Sequence, residues 1–141
     1  MRYIDSDLDS IQEMRNLIQN AQISFLQLQN LEQNELNVYG EKFIDEIEKE
    51  ADGLIKDFIS GNQYGLESDE IFLFHHFLDK FKQTIQQENY IGILEGDIGE
   101  KAIEIGAPLG VISVLLPAFP TFTLLVNIIL LAMKSGNTMV V

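Results

Sequence analysis

Cysteine is absent from this 141-residue chain, which removes a disulfide scaffold, a thiolate metal site and any cysteine nucleophile from consideration. The absence fits a reducing compartment. Basic residues are scarce: 9 Lys and Arg stand against 22 Asp and Glu, a formal charge of -13. Phosphate backbones and anionic lipid surfaces are repelled at long range by such a charge, so nucleic acid is a poor partner. The opening MRYIDSDLDS carries acids where a secretory signal has a basic and then an apolar region. Nothing there addresses the chain for export, and the cytoplasm is the expected compartment. The only histidines are His75 and His76. Neighbours on a helix point about 100° apart and cannot clasp one metal as an i, i+4 pair could, so a helix-surface or core-edge role is expected. The acidic run EKFIDEIEKEAD (41–52) has interspersed lysines and no EF-hand spacing, which reads as a solvated helix face. GILEGDIGE lacks the G-x-G-x-x-G order of a phosphate loop and reads as a turn.

The length is that of one domain, or of part of a larger one. Three amphipathic helices are predicted first. Leu8, Ile11, Met14, Ile18, Ala21, Phe25 and Leu28 recur at spacings of three and four, with Asp5, Ser6 and Asp7 as ready N-caps. Leu36, Tyr39, Phe43, Ile47, Ala51, Leu54 and Phe58 mark the second helix, with Asn30 and Gln33 as a capping box and Gly61 or Gly65 as its stop. The third runs from about Ser68 to Gln87, capped by Ser68 with Asp69 and Glu70 in its first turn, and its apolar face is Ile71, Phe72, Phe74, Phe77, Leu78, Phe81 and Ile85. The aromatic cluster on that face reads as core packing.

The period then changes. YIGILE and KAIEIG, joined by GDIGE, predict a hairpin. GVISVLL, bounded by Pro108 and Pro117, is predicted as a strand buried on both faces. TFTLLVNIILLAMKSGN has helical length, with Thr121 or Thr123 as cap, Lys134 in the last turn and Gly136 at the stop, and NTMVV begins another buried strand. No charged residue falls between Glu104 and Lys134, a stretch longer than the roughly 20 apolar residues that a membrane-spanning helix needs. Two readings compete for it. Pro117 and Pro120 would break a single span, and no Trp or basic cluster marks an interface. Strand, Pro-rich turn, helix, glycine and strand instead suit a βαβ crossover.

PLGVISVLLP and AMKSGNTMVV resemble the start of the nucleotide-binding domain of aldehyde dehydrogenases, most closely the CoA-acylating branch. YGLESDEIFLFHHF, YIGILEGDIGEKAIEIGAPLGVI and DLDSIQEMRNLIQNAQ extend the likeness upstream in the same order. The resemblance implies an α/β chain: an N-terminal helical region (1–89), an extended hairpin segment (90–107) and the first βαβ unit of an incomplete Rossmann-like domain (108–141). It further implies oxidation of an aldehyde with NAD through a cysteine-bound thioester, and acyl transfer to coenzyme A. The family's nucleophilic cysteine, and the His-Pro or Lys-Pro segment that helps hold the cofactor, are expected beyond the span of this sequence, so the chain alone is expected to be inactive. By the same resemblance Leu116, Pro117, Ala118 and Phe119 match the loop lining the nicotinamide side of the cofactor cleft. Pro120 stands where the family has its oxyanion asparagine, three residues after the proline matching Pro117. Proline offers neither side-chain amide nor backbone N–H. The expected partners are an aldehyde, coenzyme A and either a second copy or a full-length dehydrogenase. An unpaired last strand is expected to make the chain marginally soluble or oligomeric. The alternative reading is a small membrane-anchored protein with an acidic helical head.

Overall fold

A computed structural model of the chain describes residues 6–61, 64–95 and 102–141. In chain order these form α1 (Ser6–Leu28), α2 (Gln33–Ser60), α3 (Glu67–Gln83), a short 3-10 turn (Ile85–Gln87), β1 (Gly92–Glu95), β2 (Glu104–Gly106), β3 (Val111–Ser113), α4 (Thr121–Lys134) and β4 (Thr138–Val140). The expected cap Asp5 and the expected hairpin turn at Gly96, Asp97 and Gly99 lie outside the described residues.

The core is helical. Ile44, Ala51 and Ile55 of α2, Phe74, Leu78 and Phe81 of α3, and Phe122, Val126 and Leu130 of α4 meet in one buried cluster. Their spacing of three, four or seven within each helix keeps one face inward. This row corrects part of the predicted face of α2: Leu36 and Ala51 are buried and Phe43 and Ile47 pack against the cluster as expected, but Tyr39, Leu54 and Phe58 are exposed while Ile44 and Ile55 are buried. Both rows have helical period, and only the position of α3 and α4 chooses between them. On α3, Phe72 leaves the predicted core face: it is 69% exposed and its ring stacks on that of His76 at 6.1 Å. The larger departure is α1, where Leu8, Ile11, Met14, Leu17 and Ile18 are exposed and Ala21 is buried. Its anchor lies in the second half, where the Thr138 hydroxyl donates to the Ala21 carbonyl at 2.9 Å.

Helix ends show how tertiary contacts override local signals. Asn30 does not open α2; its amide donates to the Leu26 carbonyl at 3.0 Å and closes α1 instead. The N-cap of α2 is Glu32, whose backbone N–H donates to Glu35 Oε2 at 2.9 Å. Gln33 is occupied elsewhere: Nε2 donates to the Lys134 carbonyl at 3.0 Å, and Oε1 accepts from the N–H groups of Tyr90 and Ile91 at 2.7 and 3.0 Å. One side chain thus ties the end of α4 to the entry of β1. Gly61 ends α2 as expected. On α3 the cap is Leu66 rather than Ser68, and the Leu66 side chain makes no capping hydrogen bond.

β1 and β2 pair antiparallel, with Gly92 opposite Gly106 and Ile93 opposite Ile105, which is the expected hairpin pairing. β3 and β4 pair parallel, Val111 with Thr138, Ile112 with Met139 and Ser113 with Val140, and α4 is the connection between them. The βαβ unit predicted from the apolar stretch is therefore present. β3 is shorter than the predicted strand and not buried on both faces; beyond its end Leu115 is 96% exposed. A parallel strand is covered on both faces only when layers lie on each side, and among the described residues β4 alone pairs with it. α4 has 14 residues, a length of about 21 Å against a hydrocarbon core of about 30 Å. Among the described residues no helix is long and apolar enough to cross a membrane.

α4 stops in a Schellman turn: the N–H of Gly136 reaches the Met133 carbonyl at 3.1 Å and that of Asn137 the Ala132 carbonyl at 2.8 Å. Gly136 takes φ +67°, the left-handed value that this turn requires and glycine adopts freely. Asn137 Oδ1 then accepts from the Gly110 N–H at 2.8 Å, joining the start of β3 to the start of β4. Lys134, in the last turn, is buried. Its ammonium donates to the Gln86 carbonyl at 2.8 Å and to Asn37 Oδ1 at 3.2 Å, and lies 5.6 Å from the centre of the Tyr90 ring.

Burial holds the Lys134 pKa below the ordinary lysine value, with Glu88 and Glu41 pulling the other way. Between that lowered value and 10.5 the unfolded chain keeps a proton that the folded chain has released. The contribution of Lys134 to stability therefore rises with pH across this window. Tyr90 acts oppositely above its ordinary value of 10.0, because burial first and Glu88 second hold its proton on in the folded state. Urea midpoints compared from neutral pH to just below pH 10 are expected to show Lys134→Met losing ground to the native chain as pH rises. A gap that does not change with pH would remove Lys134 as the source.

Candidate functional site

The chain leaves the sheet after Val114, whose N–H still reaches the Val140 carbonyl at 2.9 Å, and turns through residues 115–120 into α4. Leu116 and Phe119 are half-buried, while Pro117 and Ala118 face outward. The turn is closed from within by the Thr121 hydroxyl, which lies 3.0 Å from the Pro117 carbonyl and 2.7 Å from that of Ala118. Thr121, one of the two expected caps of α4, accordingly serves the turn that precedes it. The N-cap position belongs to Pro120, which gives no side-chain hydrogen bond.

What caps α4 is a residue from another helix. Glu70 is 1% exposed, and its Oε1 accepts from the Thr123 backbone N–H at 2.7 Å. A carboxylate at the positive end of a helix, bonded to one of its free N–H groups, is doubly favoured. In sequence Glu70 is one more acid in the first turn of α3, and nothing local distinguishes it from Glu67 or Asp69. Its selection is tertiary: Phe122 packs edge-on to Phe58 at 5.5 Å and tilted to Phe74 at 5.3 Å, bringing the start of α4 against α3.

A second contact seats the same turn. A Cβ at Gly65 would run into the Phe119 ring, and Gly65 has φ +86°. Both facts demand glycine there. Gly65→Ala is expected to lower stability by about 1–3 kcal/mol through overpacking and backbone strain. Equilibrium denaturation checks it, and a loss within a few tenths would mean that Phe119 swings away freely.

The surface offered by Leu116, Pro117 and Ala118 has no charged side chain. The diphosphate of a dinucleotide does not fit at the start of α4, where Glu70 already fills the anion position with a negative charge. Other side chains singled out from the sequence stand apart: His75 Nε2 lies 3.3 Å from Asp52 Oδ1 and His76 stacks on Phe72. Among the described residues no group of three or more His, Cys, Asp or Glu is placed to hold a metal ion.

A mixed α/β fold whose parallel strand pair is joined by α4, preceded by helices and a hairpin, defines a class that solved structures contain. No protein-family model and no curated protein sequence matches the chain. It superposes on a probable aldehyde dehydrogenase from Listeria monocytogenes EGD-e with a TM-score of 0.87 and 26% identity, over 96% of this chain and 30% of that one. An acetylating aldehyde dehydrogenase from Geobacillus thermoglucosidasius gives the same TM-score and coverage at 24% identity, a likeness of fold. The fold is that of a portion of an aldehyde dehydrogenase, in agreement with the resemblance of the sequence to the N-terminal portion of the acylating branch. The chain spans 30% of the length of each of these neighbours.

Proposed function

We propose that the chain is the front portion of an NAD-dependent, CoA-acylating aldehyde dehydrogenase, converting aldehyde, coenzyme A and NAD to acyl-CoA and NADH when the remaining part is present. The observation that carries this reading is the superposition of 96% of the chain on a dehydrogenase at TM-score 0.87. In this reading 108–141 begins the nucleotide-binding unit, and Leu116, Pro117, Ala118 and Phe119 line the nicotinamide side of its cleft. NAD, when bound, supplies the hydride acceptor. This chain's residues contribute shape: the Thr121 hydroxyl and the Gly65–Phe119 contact fix the loop, and its uncharged face excludes water from one side of the ring. The covalent step needs an activated thiolate, and the sequence has no cysteine, so that step belongs to residues outside it and the chain alone is inactive. Dividing the apolar stretch into β3, the turn, α4 and β4 leaves the membrane-anchor reading without a helix of sufficient length.

The test is a hybrid in which this chain replaces the matching front segment of the Geobacillus enzyme. Calorimetric titration with NAD is expected to show binding, and an aspartate introduced by Ala118→Asp, facing the ring, is expected to weaken it at least several-fold. A folded hybrid that binds no NAD would sink the proposal.

A further inference from the structure

Three oxygens on α3 and α4 are buried without a hydrogen-bond partner among the described residues: Glu70 Oε2, Thr123 Oγ1 and Asn127 Oδ1. The first two belong to bonded neighbours, and the third lies one helical turn further along α4. Glu70 Oε1 sits 2.7 Å from the Thr123 N–H, which sets Oε2 of the same carboxylate against the first turn of α4. Thr123 and Asn127 are four residues apart on that helix, on one face, and helical side chains lean towards the N-terminus, so the Asn127 amide leans over the turn that bears Thr123.

We propose that this junction is a binding site for one ordered water molecule, held by Glu70, Thr123 and Asn127 and joining α3 to α4. The chemistry of the oxygens selects the ligand. A carboxylate oxygen and an amide oxygen only accept, and the hydroxyl both donates and accepts. Together the three therefore require two further donors and can give one. A water molecule supplies this balance, with its two hydrogens on Glu70 Oε2 and Asn127 Oδ1 and one lone pair taking the Thr123 hydroxyl. Buried waters commonly make about three such bonds to groups that are otherwise unsatisfied. A metal cation is a worse occupant, because the positive end of α4 points into the site. The bridge extends the bond between Glu70 and the Thr123 N–H into a network that spans the first two turns of α4, just after the 115–120 turn.

Two measurements on the purified chain test it, and both must succeed. A crystal structure at a resolution that shows ordered solvent is expected to place a peak about 2.6–3.2 Å from all three oxygens. Thr123→Val, which removes the hydroxyl at nearly constant shape, is expected to lower the melting midpoint by a few degrees, on the order of 4 °C. An unbridged hydroxyl gives the opposite sign, since replacing a buried, unpartnered polar group by a methyl stabilises. Absence of the peak, a direct bond between Glu70 Oε2 and Asn127, or a midpoint that stays or rises overturns the proposal.

Discussion

In the hybrid with the remaining part of the Geobacillus enzyme, Pro120→Asn is expected to raise kcat by about 10²–10³-fold, with a much smaller effect on KM. The expectation rests on what proline lacks. Acyl transfer passes through a tetrahedral oxyanion, and one preorganised donor aimed at it is worth roughly 2.7–4 kcal/mol of barrier. In the proposed register Pro120 holds the position of that donor, between the loop 116–119 and the first helical residue of α4. Asparagine would supply the side-chain amide and a backbone N–H, and it is among the preferred residues at an N-cap, so the substitution agrees with the local fold. NADH formation at saturating aldehyde and coenzyme A reads the effect. An unchanged kcat would mean either that another donor serves the oxyanion or that the register is shifted. Where kcat does rise, Pro120→Ala, which restores the backbone N–H without the amide, tells which of the two donors carries the gain.

The second large effect is on stability. Phe74→Ala is expected to cost about 3–5 kcal/mol, a large part of the roughly 5–15 kcal/mol that holds a domain folded. Phe74 is 0% exposed, and its ring meets that of Phe122 at 5.3 Å, which in turn meets Phe58 at 5.5 Å. Removing it leaves a cavity where α2, α3 and α4 converge and loosens the start of α4. Phe72→Ala is the matched control: the same helix and the same chemistry, with a ring that faces solvent, for a change expected to stay within about 1 kcal/mol. Urea denaturation of the pair measures both, and equal losses would contradict the packing described.

The contrast between these two phenylalanines shows what local sequence can and cannot specify. Helices, hairpin and βαβ unit are legible because periodicity and turn residues are local properties: Gly61 and Gly136 end α2 and α4 where the pattern says they should. Which side of a helix turns inward is not local. Tyr39 and Leu54 follow the same period as Leu36 and Ala51, and the choice waits on where α3 and α4 lie. The candidate site divides in the same way. Its loop is recognisable from Pro117 and its neighbours, whereas Glu70 acquires its role from a helix 53 residues further along the chain. Gln33 offers the same lesson, reading locally as half of a capping box while its amide holds β1 and the end of α4.

The uneven hold on α1 has a kinetic face. Among the described residues Leu8, Ile11, Met14 and Leu17 are exposed, and the helix is tied to the rest at Ala21 and beyond. An isolated helical segment of that length is marginal in water. Amide protons from 7 to about 17 should therefore exchange with solvent through fraying alone, while those of 44–55 and 122–130 wait for global opening. A protease would meet the same gradient, nicking the first turns of the chain while the helical core was still intact.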